Sequence, residues 1–503
     1  MMAPFMKGLL YRTFYPCQEA VILTFTDQWI KYNPMEKEGI AEDIKYLNYK
    51  IVVAGLVLTI IFSVPFAFFL ANFKYSELFL LSLAVVILSV ILMRKTGPLF
   101  NFKKLTITAF FWYTYMLVIY IPAFFIYFEK VGPYRNIFFI AVNSVLITIP
   151  LGALVANKLF WFKKETIDGF YEKPIQAVDS GPARRVFLGL LGFCVFFTMM
   201  YILEVRKVPL FEILKHPNLI DFARILRAES FLNLPSKFKY IYSWIRSGIY
   251  PFLIMYSFGN FIVLKKKFWK WSFFSSFIFG VFFNSLTTEK LPVAAIFIML
   301  MLFYLLYKNW KINVLFYVIA PLVILAIPTL FLTIIIPKEQ VILQKMVGSI
   351  ITRSFRVPAE VLYLYFEIFP DKIGYLGFSA IKTIASFLGL QYFDIPVFVM
   401  KYWLKTPVTT GYANACFVGT MNAGWGIAGV LFIGILAGFL QQAAQIFIVK
   451  RFRTILSLTL LTLLMYLSFS LNSAELFVIL QSLGGFISFL VFWLIYRKEK
   501  EHY

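Results

Sequence analysis

Two stretches of this chain hold residue types that could grip an anion and move a proton. Residues 204–246 carry Arg206, Lys207, Lys215, Arg224, Arg227, Lys237, Lys239 and Arg246 against Glu204, Glu212, Asp221 and Glu229. Residues 337–424 hold eight basic and five acidic residues, with Arg353 and Arg356 three apart in Ile351-Thr352-Arg353-Ser354-Phe355-Arg356. A guanidinium fork binds phosphate oxygens in pairs and stays charged at any physiological pH. A lipid diphosphate at a membrane surface suits such a set. The competing use is a solvated face whose Arg groups touch ordinary headgroups. In the second stretch Gly411-Tyr412-Ala413-Asn414-Ala415-Cys416 and Asn422-Ala423-Gly424-Trp425-Gly426 add small residues. These let backbones approach closely and offer amides to a ligand, or simply pack a helix.

The rest of the chain is what positions these groups. It has 503 residues, 61% of them hydrophobic and 15% charged. Apolar stretches of roughly 16–25 residues run from about 51 to 496, and at about 1.5 Å per residue they match a ~30 Å hydrocarbon core. They are read as spans at 51–72, 76–93, 105–128, 137–156, 186–203, 247–264, 272–287, 291–307, 312–336, 426–448, 454–471 and 476–496. The first is too long for a signal h-region, and no cleavable signal is read. The expected fold is therefore all-α and polytopic, with about 12 transmembrane helices. It forms one membrane domain over 1–503, with an interfacial or cytoplasmic segment at 1–50 and long outside loops at 204–246 and 337–424.

The net charge of +23 comes from Lys and Arg scattered between the spans. It points to anionic lipid and positive-inside topology, not to nucleic acid. Cys17, Cys194 and Cys416, with His216 and His502, give no disulfide framework and no zinc spacing. No metal and no cofactor is expected.

Pro217-Asn218 reads as a helix start, with Asn218 as cap and Leu219, Phe222, Ala223 and Leu226 as an apolar stripe. Val357-Pro358 reads as the start of a second short helix, Ala359 to Phe369, ended near Pro370. Lys290 follows the polar turn Thr287-Thr288-Glu289, and a short turn pins it near the bundle axis. Glu77 and Glu475, at other outer turns, read as snorkelling helix-end groups.

Lys207-Val208-Pro209-Leu210-Phe211, Arg227-Ala228-Glu229 and Tyr240-Ile241-Tyr242 resemble the first large outside loop of bacterial O-antigen and exopolysaccharide repeat-unit polymerases of the Wzy type. The turn Ser285-Leu286-Thr287-Thr288-Glu289-Lys290, the run Arg356-Val357-Pro358-Ala359-Glu360 and the stretch from Ala413 to Gly429 are similar to further parts of that family. The resemblance covers roughly residues 200–450. Lys290 stands where the family commonly has Arg.

The resemblance implies a GT-C-like helical bundle in the bacterial inner membrane, with its active site facing the periplasm. It implies metal-independent transfer of a growing glycan from polyprenyl diphosphate to a new lipid-linked oligosaccharide, as in lipopolysaccharide or exopolysaccharide synthesis. Membrane lipid and a chain-length regulator protein are the other implied partners. In that scheme Arg224, Arg227, Lys290, Arg353 and Arg356 stabilise the leaving diphosphate. Glu229, or else Asp221, takes the acceptor proton. Tyr242, with Tyr240 and Trp244, stacks on sugar, and Asn414 lines the glycan site. A lipid-linked oligosaccharide flippase and an O-antigen ligase-like transferase are the alternatives.

With both termini inside, the inner segments carry 28 of the 48 Lys and Arg, and the short outer turns carry only Lys74, Lys130, Arg135 and Lys290. That contrast sets the orientation. Cysteine labelling in intact cells is expected to reach both long loops and to miss positions 271 and 452. Outside labelling at 271 or 452 would contradict it.

Overall fold

In a membrane a segment must satisfy its backbone hydrogen bonds internally, so long apolar runs become helices. The structure, a computed structural model, describes residues 76–205, 207–216, 223–232, 234–310, 352–406 and 411–500. The chain divides into Met1–Val64 and Pro65–Tyr503, and every described residue belongs to the second unit. The segment 1–50, the spans expected at 51–72 and 312–336, and Asp221 lie outside the described residues. Each remaining expected span coincides with a helix.

The described residues form α1 (Ser76–Thr96), α2 (Ile107–Glu129), α3 (Tyr134–Leu159), α4 (Glu165–Glu172), α5 (Gly181–Val205), α6 (Pro209–Lys215), α7 (Ala223–Leu232) and α8 (Lys237–Leu264). They continue with α9 (Lys267–Ser285), α10 (Lys290–Tyr307), α11 (Val357–Ile368), α12 (Lys382–Phe387), α13 (Ile395–Leu404), α14 (Phe417–Val449), α15 (Ile455–Ser470) and α16 (Leu476–Lys500, broken near Gly484). Among the described residues the only extended pairing is one bridge, Gln176 to Thr454. Among the described residues, seven helices are long and apolar enough to cross a membrane: α2, α3, α5, α8, α10, α14 and α16.

Local chemistry sets several helix starts. Thr106 caps α2 by accepting from the Ala109 N–H. Thr454 and Ser457 form a reciprocal capping box on α15. Asp394 caps α13 through the Val397 N–H. The apolar α15 is buried nearly all round, as a central helix should be.

Side-chain bonds sort the loops onto two ends. At one end Lys104 meets Asp168 and Glu172, and Arg184 and Lys266 share Asp179. The buried Arg453 donates there to the carbonyls of Tyr171 and Lys173. At the other end Arg356 meets Glu129, and Trp244 donates to the Gln481 carbonyl. The loops on each end are those that the charge count groups together.

Two close approaches shape the bundle. Helices α3 and α14 cross through Gly152, Gly434 and Gly438. A Cβ at Gly438 would lie 2.0 Å from the Ile149 carbonyl oxygen, and one at Gly152 the same distance from that of Ile435. Small residues at i and i+4 make this contact, as in other membrane helix pairs.

The second approach is inside α14, which the sequence placed at 426–448. The helix begins nine residues earlier, and bends at Trp425 (φ −140, ψ 16) and Gly426 (φ 62, ψ −149). Gly426 occupies backbone space that is essentially glycine-only. A Cβ at Gly429 would sit 2.5 Å from the Met421 carbonyl oxygen. In a straight helix residues eight apart are about 12 Å apart, so Phe417–Gly424 folds back on the longer segment. Leu376 donates to the Ala423 carbonyl at 2.9 Å and ties the second loop to this bend.

Gly426→Ala should therefore cost about 1–3 kcal/mol of backbone strain, and its methyl would meet the Tyr375 hydroxyl at 2.7 Å. A clear drop in the thermal midpoint of purified protein is expected. An unchanged midpoint would contradict the fold-back.

Candidate functional site

Three short π-helical turns carry much of the site: Met116–Tyr120, Ile245–Ile249 and Thr352–Arg356. Each is followed, two residues on, by proline: Pro122, Pro251 and Pro358. Proline lacks the N–H and clashes with the carbonyl four residues back. Widening the preceding turn relieves that clash, and such turns favour functional sites. Here they place Arg246 and Arg353.

Lys290 starts α10 after a tight turn. Thr288 donates its N–H to the Ser285 carbonyl at 2.8 Å, and Leu210 from α6 donates to the Leu286 carbonyl at 3.1 Å. Thr288 adopts φ 57, a left-handed conformation that a β-branched residue rarely takes. The neighbouring Thr287 hydroxyl is buried without a hydrogen-bond partner among the described residues. Strain of this kind persists where surrounding structure fixes it, and here it fixes Glu289 and Lys290.

Around this turn four cations gather. Arg227 of α7 lies 3.9 Å from Glu289 Oε1, and Arg246 of α8 contacts Glu289 Oε2. Lys290 is half-buried, and the charges of both Arg353 and Arg227 act on its ammonium. Arg353 is exposed and makes no ion pair among the described residues. One carboxylate thus bridges two arginines of the first long loop, and the adjoining Lys290 feels the charge of Arg353 from the second. Such a cluster holds an anion tightly where water is partly excluded.

The expected residues divide as follows. Arg227, Lys290 and Arg353 come together. Arg224 lies one turn before Arg227 on α7. Arg356 does not join them: Glu129 at 2.9 Å and Glu360 at 3.5 Å already pair it. These pairs lie at the α2–α11 junction.

Tyr242 is only 1% exposed. It stacks on Tyr201 at 4.9 Å and packs on Phe283 at 5.0 Å, with the Arg246 guanidinium 5.8 Å from its ring centre. Its expected role against a sugar ring is corrected to a support under Arg246. Glu229 is exposed and makes no side-chain bond among the described residues. Asn414 is exposed between Ala413, whose carbonyl accepts from Tyr365, and Ala415.

Arg246, its partner Glu289, and Glu475 were given no site role by the sequence. Arg246 was one loop cation among many, and its link to Glu289, 43 residues away, leaves no local pattern. Glu475 looked like a helix-end group. It is half-buried beside the Thr420 side chain, and burial pushes its carboxyl up to about 7, with Asp394 acting in the same direction. Tyr365 and Tyr392 feel both carboxylates. The described residues hold no group of three or more His, Cys, Asp and Glu that could bind a metal.

Inorganic pyrophosphate reports on the cation cluster directly. Arg353→Ala or Lys290→Ala should weaken its binding to the purified chain on the order of tenfold or more, the worth of one charged hydrogen bond. Added salt should weaken it too, and Lys237→Ala should leave it unchanged. Equal affinity in all variants, by calorimetry, would remove the anion site. No family model matches this chain, and no curated protein or solved structure matches it, so function is read from the cation cluster and its setting.

Proposed function

We propose that this chain is a membrane glycosyltransferase of the repeat-unit polymerase kind. In this reading it has about 12 spans in a GT-C-like bundle, lies in a bacterial inner membrane, and presents both long loops outside. The observation that carries it is the pairing of Arg227 and Arg246 on Glu289 beside Lys290, whose ammonium also feels Arg353. A cation cluster built from two loops fits a diphosphate that must be held and then released.

The chemistry follows from charge. The bond between the anomeric carbon of the growing glycan and the diphosphate oxygen breaks. A bond forms from that carbon to a hydroxyl of the incoming lipid-linked unit. Negative charge grows on the diphosphate, and preorganised guanidinium and ammonium groups stabilise it more than they stabilise the ground state. The hydroxyl proton passes to a carboxylate. Glu229, on the same helix as Arg227, is our choice among the described residues. Four fixed cations supply the charge that a divalent ion would otherwise provide.

In an assay with purified lipid-linked repeat units, Lys290→Ala and Arg353→Ala should each slow polymerisation by ~10²-fold, as loss of one oxyanion donor does. Arg353→Lys should recover only part, since the fork is lost. Activity should survive EDTA. Loss with EDTA and recovery with Mg²⁺, or full activity in Arg353→Ala, would contradict the proposal.

A further inference from the structure

A second site lies away from the cation cluster, in the apolar part of the bundle. Helices α14, α15 and α16, with Ile107 of α2, line a half-open cavity of about 380 Å³. Leu440, Phe447, Leu464, Leu467, Phe486 and Phe489 are among its walls. That volume is in the range of small-molecule sites. No Lys, Arg, His, Asp or Glu lines it.

One lining group breaks the pattern. Gln441 is 7% exposed, and neither Nε2 nor Oε1 of its carboxamide has a hydrogen-bond partner among the described residues. Its neighbours on α14 are at least partly employed: Gln442 donates to Asn157 Oδ1 at 2.8 Å, and Gln445 Oε1 accepts from the Ile107 N–H at 3.0 Å while its Nε2 has no partner among the described residues. A buried amide with no partner is costly, and an intramembrane polar group in a cavity marks a ligand path. The other polar side chain on the wall, Ser468, is spent on a long 3.5 Å bond to the Ile107 carbonyl. One water would find few partners in so apolar a space.

We propose that this cavity binds a lipid hydrocarbon chain bearing a single hydroxyl, and that Gln441 recognises the hydroxyl. The apolar walls take the chain. A hydroxyl both donates and accepts, so one group satisfies both orphan atoms of the carboxamide. A carboxylate is unsuited, because no cation faces the cavity. An ester carbonyl would satisfy Nε2 alone.

The test uses the full chain in detergent with a photoactivatable long-chain alcohol, its matched alkane and its matched fatty acid. Peptide mapping should find the alcohol in 437–447 and 464–480, about three- to tenfold above the alkane, the ratio that one net hydrogen bond gives. Gln441→Leu should abolish that preference while keeping alkane labelling. Ala444→Phe should fill the cavity and block both probes. Excess unlabelled alcohol should suppress labelling of the unaltered protein, which keeps the test valid if Gln441→Leu fails to fold. Equal labelling by alcohol and alkane, stronger labelling by the acid, no competition, or persistence in Ala444→Phe would each overturn the proposal.

Discussion

Glu289 holds together charges that would otherwise push apart. Arg227, Arg246 and Lys290 are like charges in a partly buried place, with the exposed Arg353 acting on Lys290, and their repulsion grows as water leaves. A single carboxylate bridging two of the guanidinium groups offsets part of that repulsion and leaves a surplus of positive charge for an anion. The surrounding elements serve this balance. The strained Thr288 turn fixes the carboxylate, the π-helical turns before Pro251 and Pro358 aim two arginines, and the Tyr201–Tyr242–Phe283 cluster backs Arg246.

The same logic separates the cations that are open to a ligand from those that are not. Arg356 sits on the same π-helical turn as Arg353, yet Glu129 and Glu360 neutralise it and it joins α2 to α11. Arg453, at the opposite end, is buried and donates to carbonyls of two segments, the end of α4 and α10. Both are structural ties. Arg353 has no carboxylate partner among the described residues, and that difference is why it is proposed as an anion ligand.

Much of the architecture was legible in the sequence, because helical spans follow from the lengths of apolar runs. The short helix after Pro358 was also legible, since proline marks a helix start; Val357–Ile368 lies within two residues of the expected element. The fold-back of α14 was not. Asn422-Ala423-Gly424 read as a loop, although the unusual dihedrals fall only on Trp425 and Gly426. Arg227, Lys290 and Arg353 could be picked out because charges in long outer loops are few. Arg246, Glu289 and Glu475 could not, because their meaning depends on partners far away in the chain. Tyr242 was misplaced for the same reason: an aromatic residue in a loop sequence says nothing of whether its ring is already packed.

The central claim is that two loops and one turn form one anion site. A double-mutant cycle between Lys290→Ala and Arg353→Ala, read as pyrophosphate affinity, tests it most directly. Residues that share one ligand and one field should be coupled by at least ~0.5 kcal/mol, so the double variant should depart from the sum of the singles. Effects that add to within ~0.3 kcal/mol would mean two independent charges, and would contradict the single site.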